Sequence, residues 1–128
     1  PWRRICALPA FWVGLLYDDA ALADAEALTR AWQLEDVEAM RDAVPREGLR
    51  TPFGNTTLRE IAREVLAISR KGLVNRARLN KDGNDESHFL APLEEVVARG
   101  TTLSEELLSY YEGRWNRSIE PVFAEFAY

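Results

Sequence analysis

The sequence predicts an all-α fold, and three observations carry that expectation. Apolar residues recur at three- and four-residue spacing along much of the chain. Two T-x-x-E signatures, Thr57 with Glu60 and Thr102 with Glu105, stand directly before such runs, where hydroxyl and carboxylate can cap a first helical turn reciprocally. No stretch alternates apolar and polar residues over the length of a strand. A composition of 47% hydrophobic and 29% charged residues over 128 positions supports one packed domain rather than a disordered chain.

From the N-terminus, the run ICALPAFWVGLLY is apolar over 13 residues. Pro9 suits the first turn of a helix, where its missing N–H costs least, so a buried helix is expected over 9–17. Asp18 or Asp19 then caps a second, alanine-rich helix to about residue 32. Val37, Met40 and Val44 mark a third, expected to stop at Pro45, because proline pushes the residue before it out of the helical region. REGLRTPFGN reads as a loop.

The Thr57 capping box opens the clearest helix. Leu58, Ile61, Ala62, Val65, Leu66 and Ser69 share one face, while Arg59, Glu60, Arg63, Glu64 and Arg70 take the other. Its end is expected near residue 71 or 72, with a short continuation to about 79. NKDGNDES is a polar turn, the expected flexible point near 80–87. A helix over 90–99 closes at Gly100. The Thr102 box opens the next, with Leu103, Leu107, Leu108 and Tyr111, and Ser118 caps a last short helix bearing Val122, Phe123 and Phe126.

Charge and composition exclude several function classes. Sixteen Lys and Arg against 21 Asp and Glu leave a net charge of −5, which argues against a nucleic-acid partner. The 13-residue apolar run contains Pro9 and Gly14, meets Asp18 and Asp19, and falls short of the about 20 residues a membrane span needs, so no membrane partner is expected. The single cysteine, Cys6, rules out an intrachain disulfide and a Cys-based zinc site, and is expected as a small buried hydrophobe.

No phosphate-cradling Gly-rich loop, nucleophile elbow or histidine pair occurs, so no catalytic residue and no metal ligand is assigned. His88 is expected as a solvated turn residue. Asp18/Asp19, Glu35/Asp36/Glu38 and Glu94/Glu95 lie at helix N-termini or on helix faces, where acids are favoured without a metal. Trp12, Trp32, Trp115, Phe11, Tyr110 and Tyr111 are expected to pack a core. Trp2, Arg3 and Arg4 stand apart: two adjacent guanidiniums precede an apolar helix, and one can clamp a carboxylate or phosphate bidentately or pair with a structural acid.

PWRRICALPAFWVGLLYDDAAL, then VPREGLRTPFGN, then EGRWNRSIEPVFAEFAY resemble, in that order, the C-terminal part of glutamate–cysteine ligase of the plant and related bacterial group. The resemblance covers essentially the whole chain, including the helix over 57–71 and LEEVVARGTTLSEELLSYYEG. It implies a parent enzyme that joins the γ-carboxylate of L-glutamate to the amine of L-cysteine with ATP and Mg²⁺, the first step of glutathione biosynthesis. As in glutamine synthetase, ATP converts the carboxylate to a γ-glutamyl phosphate and the amine displaces phosphate. Metal ions and arginines offset the charge that builds up.

The resemblance also implies an α+β parent whose antiparallel sheet carries the metal-binding glutamates and the nucleotide site upstream. Residues 1–128 are then its helical C-terminal region, with 1–8 at the edge of the catalytic domain. Trp2, Arg3 and Arg4 become substrate-binding residues at that edge, and the upstream sheet becomes the partner of the apolar helix. An opening in mid-motif without methionine carries the same expectation, and Tyr128 resembles the family's last residue. The fragment alone is expected to be inactive, and its parent to be cytoplasmic if bacterial-like and plastidic if from a plant. Plant enzymes of this family are redox-regulated through cysteine pairs, which Cys6 alone does not supply. The alternative is a free-standing helical interaction module without catalysis, which is expected to bring its own start and a polar first helix.

Overall fold

The computed structural model describes residues 4–126. Among them the order is α1 (Ala7–Leu16), α2 (Asp19–Thr29), α3 (Leu34–Glu47), a two-stranded hairpin β1 (Pro52–Phe53) and β2 (Thr56–Thr57), then α4 (Leu58–Arg76), α5 (Ala91–Arg99), α6 (Leu103–Glu112) and α7 (Glu120–Glu125). Short 3-10 turns at Gly48–Arg50 and Glu86–Leu90 complete the path. The all-α expectation holds, with the hairpin as its one exception.

Helix α4 is the axis on which α1, α2 and α5 pack. It starts where the capping box places it: the Thr57 hydroxyl accepts from the Glu60 N–H, and the Glu60 carboxylate accepts from the Thr57 N–H at 2.9 Å. Ile61, Leu66, Ser69, Gly72 and Leu73 are buried along one face. The helix runs without a break through residues 71–72 into the expected continuation, to Arg76, and stops at Ala77, which takes a left-handed conformation. Gly72 does not end it, because Gly72 sits at a crossing where backbones touch. A side chain at Gly72 would overlap the Gly14 carbonyl of α1, and one at Gly14 would overlap the Ser69 carbonyl. The Ser69 hydroxyl donates to the Phe11 carbonyl at 2.9 Å across the same contact. Ala7, Ala10 and Ala21 are buried around it, so small residues set the spacing of α1, α2 and α4.

The core beside this crossing is built from Leu49, Leu66, Leu73, Leu90 and Val97, with Phe11, Leu58 and Leu93 partly buried against it. Helix α5 is fixed to α4 by polar ties as well. Arg70 forks onto Glu94 with two bonds of 2.7 Å and donates to the Ser87 hydroxyl at 3.1 Å. Arg59 donates from Nε to the Val97 carbonyl at 2.8 Å and also reaches the Ala98 carbonyl, satisfying the C-terminal end of α5. Pro92 lies in the first turn of α5, and Gly100 closes it at φ +72°. In the turn before, the Asn80 side chain accepts from the N–H groups of Asp82 and Asn84, and Leu79 bridges Asp85.

Several local expectations are corrected. Helix α3 passes through Pro45 to Glu47 and ends at Gly48, whose φ is +57°. Arg41, whose carbonyl loses a partner to Pro45, is exposed, so water can satisfy it. REGLRTPFGN holds the 3-10 turn and the first strand of the hairpin, whose second strand, Thr56–Thr57, follows it. Gly54, at φ +57°, takes the first central position of a two-residue connection that pairs Phe53 with Thr56. The cap position of α7 is Ile119, and Ser118 contributes only a 3.3 Å contact from the Glu120 N–H. Cys6 is exposed at the cap position of α1, while Ala7 and Ala10 take the buried face. Trp12 is also outside the core, at 52% exposure.

Candidate functional site

Helix α1 decides what this chain presents. The buried side of α1 is made by Ala7, Ala10, Gly14 and Leu15. The opposite side carries Leu8, Trp12 and Leu16 at four-residue spacing, continued by Ile5 before the helix, and each is more than half exposed. Two grooves that share Phe11 and Val65 adjoin this ridge. One, of about 320 Å³, lies against α2 and is lined by Trp12, Leu16, Leu22, Leu28 and Trp32. The other, of about 260 Å³, is lined by Leu8, Leu49, Val65, Leu93 and Val96. Ridge and grooves together form a broad apolar face, of a kind that marks a docking surface.

Arg4 lies just before this ridge. It is exposed and lines a cleft of about 510 Å³ together with Ile5, Leu103, Leu107, Val122, Glu125 and Phe126. The Glu125 carboxylate there is engaged by the Trp115 indole at 2.9 Å and by Arg114. Trp2 and Arg3, singled out with Arg4 in the sequence, lie outside the described residues. The cleft was not legible in the sequence. Leu103 and Leu107 read as core residues of a helix, yet Leu103 is 36% exposed, and the relation of α6 to residues 4–5 is a long-range one. The only local sign was the i, i+4 pair itself.

None of the perturbed titratable groups lines that cleft. Glu60 is held below the usual carboxylate range, first by the Thr56 hydroxyl and then by the Thr57 cap. Glu105 is lowered by the Thr102 N–H and hydroxyl and by Arg50. Asp85 is lowered by Ser87, and Glu94 raises the Arg70 guanidinium. Each is a cap or an ion pair that holds the fold. His88 is exposed, with Nδ1 against the Asp85 carbonyl.

Among the described residues no group of three or more His, Cys, Asp and Glu is placed to hold a metal ion. No helix there is long and apolar enough to cross a membrane. Fold and surface define a helical body with one broad apolar face.

Comparison with known proteins places this body in a family. The model of Glutamate-cysteine ligase family 2 (GCS2) matches residues 1–125, and the chain belongs to that family. It is 46% identical over 128 residues to the chloroplastic glutamate–cysteine ligase of Arabidopsis thaliana, covering all of this chain and 23% of that protein. It is 44% identical to the chloroplastic enzyme of Nicotiana tabacum, again over 100% of this chain and 23% of the relative. Glutamate–cysteine ligase A, chloroplastic, of Oryza sativa subsp. indica is 45% identical, with 25% of its length covered. The chain spans about a quarter of the length of these relatives.

Proposed function

We propose that this chain is the helical C-terminal part of an ATP- and Mg²⁺-dependent glutamate–cysteine ligase that forms γ-L-glutamyl-L-cysteine through a γ-glutamyl phosphate, the first step of glutathione biosynthesis. The observation that carries this reading is 44–46% identity across every residue to plant enzymes bearing that name. In this reading the chemistry belongs to the remainder of the polypeptide, where the resemblance puts the metal and nucleotide sites. This chain braces it. The α1 ridge docks against that remainder, an upstream catalytic sheet, and Trp2, Arg3 and Arg4 reach the edge of the substrate site, where a guanidinium can pair with a carboxylate or phosphate. The named relatives are chloroplastic. A plant parent would place this enzyme in the plastid, a bacterial-like one in the cytoplasm.

The test compares the full-length polypeptide with the isolated 128 residues in an assay for γ-glutamylcysteine that depends on ATP, glutamate and cysteine. The full-length protein should turn over and the isolated chain should not. Replacing Trp12 and Leu16 together by glutamine in the full-length protein should lower turnover while leaving the helicity of the chain intact. Of Arg3→Ala and Arg4→Ala, one should lose turnover with the fold retained. A full-length protein that forms no γ-glutamylcysteine overturns the assignment, and unchanged kinetics in both arginine variants overturn the edge-of-site role.

A further inference from the structure

Helices α6 and α7 form a unit of their own. Neither contains a buried residue, and neither is packed as closely as α1, α2, α4 and α5 are on their neighbours. What they enclose is local. Trp115 is 6% exposed, with Tyr110 and Phe126 edge-on to it at centroid distances of 5.5 and 6.2 Å. Its indole N–H donates to Glu125, and Arg114, stacked 3.9 Å over the Tyr110 ring, pairs with the same carboxylate. Glu125 thus folds α7 back onto the turn that follows α6.

The unit is joined to the body by little. Gly100, at φ +72°, ends α5, and exposed Thr101 is the only residue between it and Thr102, the cap of α6. The polar tie is Arg50, whose Nη1 donates to Glu105 Oε1 at 2.7 Å, while Glu105 Oε2 holds the Thr102 cap. The apolar tie is open: Leu103, Leu107 and Val122 line a cleft of about 510 Å³ with Ile5 and Arg4. We infer that residues 103–126 move as one rigid arm about Gly100 and Thr101, latched by the Arg50–Glu105 pair, so that the arm opens and closes the cleft on Arg4. The inference rests on the geometry of this chain and does not require the assigned reaction.

Spin-label distances in the full chain test it, on a Cys6→Ser background. Ala67→Cys with Ser104→Cys reports arm against body, Ser104→Cys with Phe123→Cys reports within the arm, and Ala67→Cys with Ala27→Cys reports within the body; all four sites are exposed. The first pair should show two distances or one broad one, and the other two a single narrow distance each. Arg50→Ala should raise the ratio of open to closed arm about fivefold, the scale of one surface ion pair, and Arg50→Lys should restore much of the closed population. A single narrow arm-to-body distance overturns the proposal. So does a broad one indifferent to Arg50→Ala, or an intra-arm distance that broadens with it.

Discussion

Replacing Gly72 by alanine should destabilise the chain, against the ordinary rule for helix interiors. In an exposed helix the change is favourable by roughly 1 kcal/mol, because glycine carries the larger backbone entropy cost. At Gly72 the new Cβ would overlap the Gly14 carbonyl oxygen and stand 3.0 Å from the Ala21 Cβ. Backbone atoms cannot rotate away, so α1 and α4 must separate. Such overpacking costs typically about 1–3 kcal/mol. The separation also breaks the Ser69–Phe11 bond, worth about 1 kcal/mol. Setting the propensity gain against these leaves a net loss of about 1–3 kcal/mol. With a urea m-value of about 1–3 kcal/mol/M, the midpoint should fall by roughly 1 M. Urea unfolding followed by circular dichroism reads it, with Ala67→Gly on the exposed side of α4 as control. That opposite change should also destabilise, by roughly 1 kcal/mol from propensity alone. A Gly72→Ala midpoint equal to or above wild type, with Ala67→Gly behaving as expected, would refute the close crossing.

The two capping boxes should separate by where their loss is felt. Thr57→Ala and Thr102→Ala each remove a cap worth about 1 kcal/mol. The first should lower the midpoint of the whole chain, since α4 carries the core. The second should be seen in hydrogen exchange of α6 alone. Acid should act through the same residues, because hydrogen bonds hold Glu60 and Glu105 below their ordinary values in the folded state. The unfolded chain then binds more protons than the folded one as pH falls. The stability these groups contribute is complete above the ordinary carboxylate pKa and is lost as pH falls through the folded values. Urea midpoints should drop between about pH 6 and pH 3, and less steeply in the Thr57→Ala, Thr102→Ala double variant. An equal slope in both would exclude the caps as its source.

What the sequence disclosed tracks the range of the physics involved. Thr57, Thr102, Asp18 and Gly100 act within one turn of themselves. The structure places them as expected, with Asp18 accepting from the Ala21 N–H at 2.8 Å. Pro45 misled because a local rule met a tolerant setting, the exposed last turn of α3. GlyAsn before Thr56 is a hairpin signal, hidden here because two-residue strands show no alternation. Cys6 and Trp12 were misread because a nearly continuous apolar run does not say which side of a helix is inside. The cleft at Arg4 depends on where α6 returns after 100 residues, which no local pattern encodes. By contrast the family was legible, since it rests on long quoted stretches rather than on periodicity.

Helix α1 reverses the usual preference, and that reversal bears on what the chain is for. Burying a large apolar side chain is worth about 1.5–3 kcal/mol, so an amphipathic helix ordinarily turns its large residues inward. Here Ala7, Ala10 and Gly14 share the buried side with Leu15, while Ile5, Leu8, Trp12 and Leu16 stay more than half exposed. The small side is explained by the crossing at Gly14 and Gly72, which admits nothing larger. That explanation leaves the large side without a role inside this chain, although polar residues there would cost the crossing nothing. A helix with a small-residue face for one neighbour and a large-residue face for another belongs between two layers. The chain supplies the first layer in α4. In the proposed reading the second is supplied by the rest of the parent enzyme, about four times the length of this chain, as a surface able to cover a ridge about three helical turns long and the grooves beside it.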